Sequence, residues 1–167
     1  MKKKIVLIGS NGFFGKNIIN FFEKKYIIKK IYRKDSIKKI NFKNYHFIIN
    51  AAADVYNEEN MFQNNTGLVL DILNKIVKEN RGIRLIHFGS SGEYGAVNKK
   101  SKEEDLIAPR TVYEATKAAA SMLVQGYAKN FKIKSLIIRP FSIYGLHENK
   151  TRIMPNIFRH FLIQQKL

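Results

Sequence analysis

A tyrosine and a lysine four residues apart are the residues of this chain best suited to acid–base chemistry. Tyr113 and Lys117 lie in a stretch with helical periodicity, where this spacing puts both side chains on one face. A phenol titrates near pH 10, so proton transfer at neutral pH needs its pKa lowered by about three, or about 4 kcal/mol. An ammonium about 4 Å away supplies roughly that much at an effective dielectric near 20. We therefore expect Lys117 to lower the pKa of Tyr113.

A serine upstream completes this set. Ser90 follows the apolar run Arg84 to Gly89, which predicts a strand, and the carboxyl end of a parallel strand is where α/β sheets bind substrates. Its hydroxyl could polarise the oxygen on which Tyr113 acts. The three groups would then complete a site at which a hydride, carried by a bound nicotinamide, and a proton move between an alcohol and a carbonyl. Because Tyr-x-x-x-Lys also occurs on ordinary helix faces, this interpretation depends on the surrounding elements.

Three glycines near the start of the chain predict a phosphate-binding turn. Ile5 to Ile8 is an apolar run typical of a strand buried on both faces, and Gly9, Gly12 and Gly15 follow it directly. At this spacing a strand turns tightly into a helix whose first N–H groups can meet a pyrophosphate. A surface loop could hold three glycines too, so the motif alone does not decide between these readings.

Strands and helices are predicted to alternate along the rest of the chain. A helix over Phe13 to Lys25 would bury Phe14, Ile18, Phe21 and Phe22, and a helix over Asn57 to Asn80 would bury Leu70, Leu73, Ile76 and Val77. The other predicted elements are strands over Tyr26 to Tyr32, His46 to Ala53 and Lys134 to Arg139, a helix over Thr111 to Asn130, and a loop over the site at Lys99 to Pro109. This order predicts an α/β fold with a doubly wound parallel sheet, Rossmann-like, in three αβα layers.

Three further residues are candidates for cofactor binding. Arg33, near the end of the second strand, suits the 2′-phosphate of NADP, whereas an acidic residue there would suit NAD; we favour NADP, the alternative being a surface cation. Ala52 ends a strand in small residues, which allow close approach of a ligand but also suit a tight core. Asn64 lies within the predicted helix, where most asparagines are simply solvated.

Composition limits the classes of protein. The 167 residues carry a formal charge of +17, but the lysines are scattered between apolar stretches, so we expect a solvated surface, favourable to anionic ligands, and no nucleic-acid partner. The absence of cysteine excludes disulfides. No run is long enough for a membrane span or a signal peptide, and no metal site is predicted. We therefore expect a cytoplasmic protein without membrane contact.

Taken in order, these motifs resemble the extended short-chain dehydrogenase/reductase family, the NAD-dependent epimerases and dehydratases of nucleotide sugars. The matching pieces are Gly9-x-x-Gly12-x-x-Gly15, Asn50 to Ala53, Asn64 with Gly67, Ser90 with Tyr94-Gly95, Tyr113-x-x-x-Lys117, and Arg139-Pro140-Phe141-x-x-Tyr144-Gly145.

The resemblance implies a role for each matching position. Tyr113 would be the catalytic acid/base, Lys117 its partner and Ser90 the hydroxyl that polarises the carbonyl. The residues implied to bind NADP or NAD are Gly9, Gly12, Phe13, Phe14, Gly15, Arg33, Ala52, Asn64, Tyr113, Lys117, Pro140 and Ile143. Ser91 and Ser142 would contact the nucleotide sugar. The family's 4,6-dehydratases carry an acidic pair where this chain has Ser91 and Gly92, which favours an epimerase or a 4-keto reductase.

The resemblance also implies a missing part. Residues 1–150 match the NAD(P)-binding domain, and residues 151–167 match only the start of the family's C-terminal substrate domain. We therefore expect a truncated or split protein with an exposed apolar flank. Two alternatives stay open: the chain is an active enzyme by itself, or it is a catalytically silent dinucleotide-binding module. A homodimer is compatible with the sequence.

Overall fold

A five-stranded parallel sheet forms the centre of the computed structural model, which describes residues 1–164. Its strands are β1 (Lys4–Ile8), β2 (Ile27–Ile31), β3 (Phe47–Asn50), β4 (Arg84–Phe88) and β5 (Lys134–Ile138). They are arranged in the order β2-β1-β3-β4-β5, and all neighbouring pairs are parallel. The next two strands after β1 therefore pair on opposite sides of it, β2 on one side and β3 on the other. Sheets of this type bind ligands at the carboxyl ends of the strands where the strand order switches in this way.

Helices cover both faces of the sheet. They are α1 (Phe13–Phe22), α2 (Glu58–Phe62), α3 (Leu68–Glu79), α4 (Val112–Phe131) and α5 (Ile153–Gln164), with a π-helical turn at Gln63–Gly67 between α2 and α3. Short 3₁₀ turns lie at Ile37–Lys39 and Ser91–Tyr94. No helix among residues 1–164 is both long and apolar enough to cross a membrane.

Alternate residues of the strands point into two separate cores. Val6, Ile48 and Leu85, which are neighbours across β1, β3 and β4, pack with α3 and α4 on one face. Ile5 and Ile49 pack with α1 on the other. Burial on both faces explains why β1 is continuously apolar. The predicted α/β fold with three αβα layers is confirmed.

The predicted buried face of the first helix is partly wrong. Ile18 and Ile19 pack on the sheet, whereas Phe21 and Phe22 leave 75% and 41% of their surfaces exposed. The helix ends at Phe22 rather than Lys25, so these two rings sit on its last turn. Phe22 instead packs edge-on against Tyr26.

The helix predicted over Asn57 to Asn80 is interrupted. Its π-helical turn inserts an extra residue per turn, which rotates the face of α3 relative to α2. Leu73 and Ile76 are buried as predicted, but Leu70 is exposed. The predicted loop over Lys99 to Pro109 has no helix or strand, and the Ala108 N–H donates to the Glu93 carbonyl at 3.0 Å.

Candidate active site

The glycine turn after β1 is packed so tightly that two of its glycines leave no room for a side chain. Gly9 has φ +83°, and a Cβ there would lie 2.6 Å from the Ala52 nitrogen. A Cβ on Gly15 would collide with the Gly9 carbonyl. Gly12 caps α1 without a side-chain hydrogen bond, so the first N–H groups of this helix face the turn. This is the backbone geometry that accommodates a phosphate.

Ser10 fixes this turn to the neighbouring strand, a role that the sequence analysis missed. Its buried hydroxyl donates to the Leu7 carbonyl at 2.9 Å and accepts the Ile31 N–H at 3.0 Å. The Gly9 and Ser10 N–H groups both donate to the Ile31 carbonyl. The only sequence pattern that could have indicated this role is a serine close after a buried strand.

A cavity of about 480 Å³ opens beside this turn, at the carboxyl ends of β1, β2 and β3. Five of the predicted cofactor residues line it: Gly9, Gly12, Arg33, Ala52 and Asn64. The other seven do not line it: Phe13, Phe14, Gly15, Tyr113, Lys117, Pro140 and Ile143. The Phe14 ring instead stacks against Phe88 with centroids 4.5 Å apart, which connects α1 to the end of β4.

Arg33 is held at the cavity by an acidic residue that the sequence analysis did not single out. Its Nη2 lies 3.3 Å from Oδ2 of Asp54, whose side chain is 5% exposed against 73% for Arg33. Burial acts to raise the pKa of Asp54, but hydrogen bonds from the Asn64 side chain and from two backbone N–H groups, with the Arg33 charge, hold it below its usual range. Asn64 is thus not simply solvated; its Nδ2 donates to Asp54 at 2.8 Å.

The π-helical turn connects this cavity to α4. Asn65 Nδ2 donates to Thr116 Oγ1 at 3.0 Å, and Thr66 Oγ1 donates to the Thr116 carbonyl at 2.9 Å. The Asp54 N–H donates to Asn65 Oδ1 at 2.7 Å. The π-helical turn therefore makes hydrogen bonds both to Asp54 and to α4, the helix that carries Tyr113. The sequence pattern gave no sign of a π-helical turn.

Ser90, Tyr113 and Lys117 meet at the carboxyl end of β4. α4 begins with a capping box between Thr111 and Glu114, which fixes the first helical turn and with it Tyr113. Tyr113 lies close enough to Ser90 for the serine side chain to act on the pKa of the phenol. The buried Lys117 Nζ donates to the Phe88 carbonyl at 2.5 Å. The structure therefore brings together the three residues for which acid–base roles were predicted.

The predicted lowering of the Tyr113 pKa is wrong for this geometry. Burial raises the pKa of Tyr113 above its ordinary value, and Glu93 acts in the same direction, against the Ser90 hydrogen bond and the Arg152 charge. Burial also lowers the pKa of Lys117 to about 8, opposed by Glu93. The prediction included the attraction between an ammonium and a phenolate. It did not include the cost of burying a phenolate, which raises the pKa.

The segment after β5 returns over the same edge of the sheet. The Ser91 N–H donates to the Pro140 carbonyl at 3.3 Å, and Asn17 Nδ2 of α1 donates to the Leu146 carbonyl at 2.7 Å. Ser142 has φ +39°, and Ile143 is exposed. Pro140, Ser142 and Ile143 therefore lie on a segment that runs from Ser91 to the helix after the glycine turn.

A buried ion pair beneath Ser90 is the largest feature of the site that the sequence analysis missed. Glu93 is fully buried, and its Oε2 accepts from Arg139 Nε at 2.6 Å. Arg139 Nη1 donates to the Tyr94 hydroxyl, and the Tyr94 ring stacks on Phe141. The signal was present as Ser-x-x-Glu from Ser90 to Glu93, a capping-box pattern that the structure contains.

Comparisons with known proteins identify the family of this chain and proteins that share its fold. The model of the NAD dependent epimerase/dehydratase family matches residues 5–167. A dTDP-D-glucose 4,6-dehydratase of Dictyostelium discoideum is 24% identical, over 98% of this chain and 49% of its own length.

Solved structures share the fold at low identity. A UDP-glucuronic acid 4-epimerase from Bacillus cereus in complex with NAD superposes with a TM-score of 0.83 at 19% identity, covering 96% of this chain and 63% of the epimerase. RMD from Pseudomonas aeruginosa complexed with NADPH gives 0.84 at 17% identity, covering 99% and 63%.

The chain thus spans about half of the sequence relative and under two thirds of these structures. The match to the family model nevertheless runs from β1 to the end of the chain and includes the glycine turn, Ser90, Tyr113 and Lys117. This chain belongs to the NAD dependent epimerase/dehydratase family, a family of enzymes.

Proposed function

We propose that this protein binds a nicotinamide dinucleotide in the cavity beside the glycine turn and acts on a nucleotide sugar, as an epimerase or a 4-keto reductase. The observation that carries the proposal is that one edge of the sheet holds both the glycine turn and the Ser90, Tyr113 and Lys117 cluster. A cofactor in the cavity would then reach the groups able to move a proton.

The residues around the cavity fit such a cofactor. Gly9 and Gly12 would let the phosphates approach the backbone closely, where the first N–H groups of α1 face the turn. Ala52 and Asn64 line the cavity, and Pro140 and Ile143 lie on the segment that returns over the sheet edge. Phe13 and Phe14, at the start of α1, and Gly15, which the turn packs against, complete the proposed cofactor set.

Arg33 favours NADP over NAD in this proposal. Its guanidinium is exposed at the cavity and anchored by Asp54, so it can accept a 2′-phosphate without losing its position. Asp35 also lines the cavity, but its Oδ2 accepts the Tyr32 N–H at 2.8 Å. That contact reduces the carboxylate's capacity to accept from a free ribose hydroxyl.

The proposed chemistry divides between the cofactor and the side chains. A nicotinamide dinucleotide, when bound, supplies or accepts the hydride. In the direction of reduction, Tyr113 gives its hydroxyl proton to the substrate oxygen; in the reverse direction it takes that proton back. The Ser90 Oγ accepts the Gly92 N–H at 3.1 Å, so its own proton is available for the same oxygen. Lys117 holds a charge one turn from Tyr113 and would bind the cofactor ribose.

Elimination of water is less well supported than epimerisation or reduction. Ser91 and Gly92 offer no carboxyl group, and the neighbouring Glu93 is buried against Arg139. A carboxylate held in this way is not available as the base that an elimination needs. We therefore keep Ser91, with Ser142, as substrate-binding residues.

A substrate domain following residue 150 is also part of the proposal. Apolar side chains are exposed on β5, on the segment after it and on α5: Leu136, Phe141, Ile143, Tyr144, Leu146, Ile153, Ile157, Phe158, Phe161 and Leu162. A second domain would cover this surface. Light scattering of the purified chain tests the idea. A monomer that binds a hydrophobic dye supports it, whereas a dimer broken by Phe158→Lys would assign the surface to a second copy.

Assays with the purified chain test the function itself. We expect a cytoplasmic protein that binds NADPH and turns over a UDP-, dTDP- or GDP-linked sugar, monitored by the sugar's proton NMR spectrum. Dinucleotide binding without turnover of any of these sugars would favour the second candidate, a silent dinucleotide-binding module. We consider this second candidate because the chain covers only about half of the length of its relative.

A further inference from the structure

A single carboxylate lies beneath the Ser90, Tyr113 and Lys117 cluster and contacts both elements that form it. Glu93 Oε1 accepts the Ser90 N–H at 2.8 Å and the Ser121 hydroxyl at 2.9 Å, and Oε2 accepts from Arg139 at 2.6 Å. The side chain is fully buried. Charge-assisted hydrogen bonds from three directions give this carboxylate one fixed orientation.

The spacing along α4 places Glu93 next to the catalytic pair. Tyr113, Lys117 and Ser121 follow one another at intervals of four residues and therefore share a helix face. The last of them contacts Glu93, so this carboxylate lies one turn beyond Lys117. On the other side, the Ser90 N–H is bound by the same oxygen. Glu93 thus bridges the end of β4 and the face of α4.

We propose that Glu93 is a positioning residue for the reaction: it holds the Ser90 main chain against α4 and keeps a negative charge beneath Tyr113 and Lys117. The inference rests on the proposed function only in giving these three residues their catalytic roles. The contacts of Glu93 themselves are independent of any ligand.

The charges around the pair show what this carboxylate would do. Burial and Glu93 raise the pKa of Tyr113, while the Ser90 hydrogen bond and Arg152 lower it. Burial lowers the pKa of Lys117 to about 8, and the charge of Glu93 opposes this shift. The charges of Lys117 and Arg139 also act on the neighbouring His87 and lower its pKa. Glu93 therefore favours a protonated phenol and a charged ammonium, the state needed to donate a proton to a carbonyl.

Two variants separate position from charge. Glu93→Gln keeps the length of the side chain and removes its charge, whereas Glu93→Asp keeps the charge and shortens the reach to Ser90. The matched control is Glu79→Gln, because Glu79 at the end of α3 is also a carboxylate that accepts a backbone N–H, that of Phe42, and pairs with a cation, Lys75, but contacts none of the three site residues. NMR titration of chains labelled with ¹³C at tyrosine Cζ and lysine Cε follows Tyr113 and Lys117, and amide exchange follows Ser90.

The proposal predicts that Glu93→Gln lowers the pKa of both Tyr113 and Lys117, that Glu93→Asp speeds exchange of the Ser90 amide about tenfold or more, and that Glu79→Gln changes neither. Unchanged titrations in a folded Glu93→Gln protein, or unchanged Ser90 exchange in Glu93→Asp, would overturn it. If Glu93→Gln does not fold, the Ser90 exchange in Glu93→Asp decides alone. Failure of the wild-type chain to bind a dinucleotide would contradict the proposed function and leave these measurements intact.

Discussion

The Lys117 ammonium donates its hydrogen bond to the Phe88 main-chain carbonyl, two residues before Ser90. This contact anchors α4 to the end of β4 and explains how a lysine with only 2% of its surface exposed is accommodated. It also means that the charge of Lys117 is directed towards the strand end, where it shares the site with Tyr113.

Tyr113→Phe should abolish turnover and spare cofactor binding. The phenol hydroxyl is the proposed proton donor, and loss of a general acid costs about 10²- to 10⁴-fold in rate. The ring itself remains, so NADPH affinity should stay within about twofold. Steady-state rates and fluorescence titrations measure the two quantities separately. Turnover equal to that of the wild type would remove Tyr113 from the mechanism.

Arg33→Gln should weaken NADPH binding about tenfold or more, because a charged hydrogen bond to the 2′-phosphate is lost. NADH binding should change by less than about twofold. The control is Lys34→Gln, which removes the same charge from the neighbouring exposed residue that does not line the cavity. An equal loss for both dinucleotides, or an equal effect of the control, would show that Arg33 acts through general charge and does not select NADP.

Gly9→Ala should destabilise the fold and impair dinucleotide binding. A residue with a side chain at φ +83° is strained, and its Cβ would press on the Ala52 nitrogen, so we expect a loss of about 1–3 kcal/mol in the free energy of unfolding. The matched control is Gly126→Ala in the exposed middle of α4, where no atom lies within 4 Å of the added Cβ. There the better helix propensity of alanine should stabilise by about 0.5–1 kcal/mol. Urea unfolding of both variants gives the comparison, and equal effects would contradict the described turn.

His87 should make the fold less stable in acid. Burial, followed by the charges of Lys117 and Arg139, lowers the pKa of this histidine from 6.5 to about 3. The folded state therefore excludes a proton that the unfolded state binds below pH 6.5. The resulting stability is fully present above pH 6.5 and is lost as the pH falls towards about 3, with a slope of up to about 1.4 kcal/mol per pH unit.

A variant separates the effect of this histidine on the unfolding free energy from that of the carboxylates, which also titrate in acid. His87→Gln cannot titrate and offers a side-chain amide in place of the ring that now contacts Asn50. The difference between its unfolding free energy and that of the wild type, measured in urea from pH 7 to pH 4, should shift in favour of the variant as the pH falls. A difference that stays constant over this range would mean that His87 takes up its proton at the same pH in the folded and the unfolded protein, and would contradict the lowered pKa.

Local patterns in the sequence were sufficient for the fold and for the positions of several candidate residues. The apolar run of β1, the glycines after it and the four-residue spacing of Tyr113 and Lys117 each express a geometric requirement within a few residues, so they could be predicted. Glu93 with Arg139 and Arg33 with Asp54 are pairs from distant parts of the chain. Nothing in one sequence states which charges meet, because the fold brings them together.

The errors have the same origin. The pKa of Tyr113 depends on how deeply α4 is packed, which no spacing reveals. The exposure of Phe21 and Phe22 depends on where α1 ends. In each case a local rule was applied correctly, and a tertiary relationship outweighed it.

Titration of the purified chain with NADPH and NADH, followed by the fluorescence of the reduced nicotinamide, examines the proposal at its foundation. We predict a saturable enhancement with NADPH that is weakened in Arg33→Gln and retained in Tyr113→Phe. No enhancement with either dinucleotide would contradict the assignment of the cavity, and with it every catalytic role proposed for Ser90, Tyr113 and Lys117.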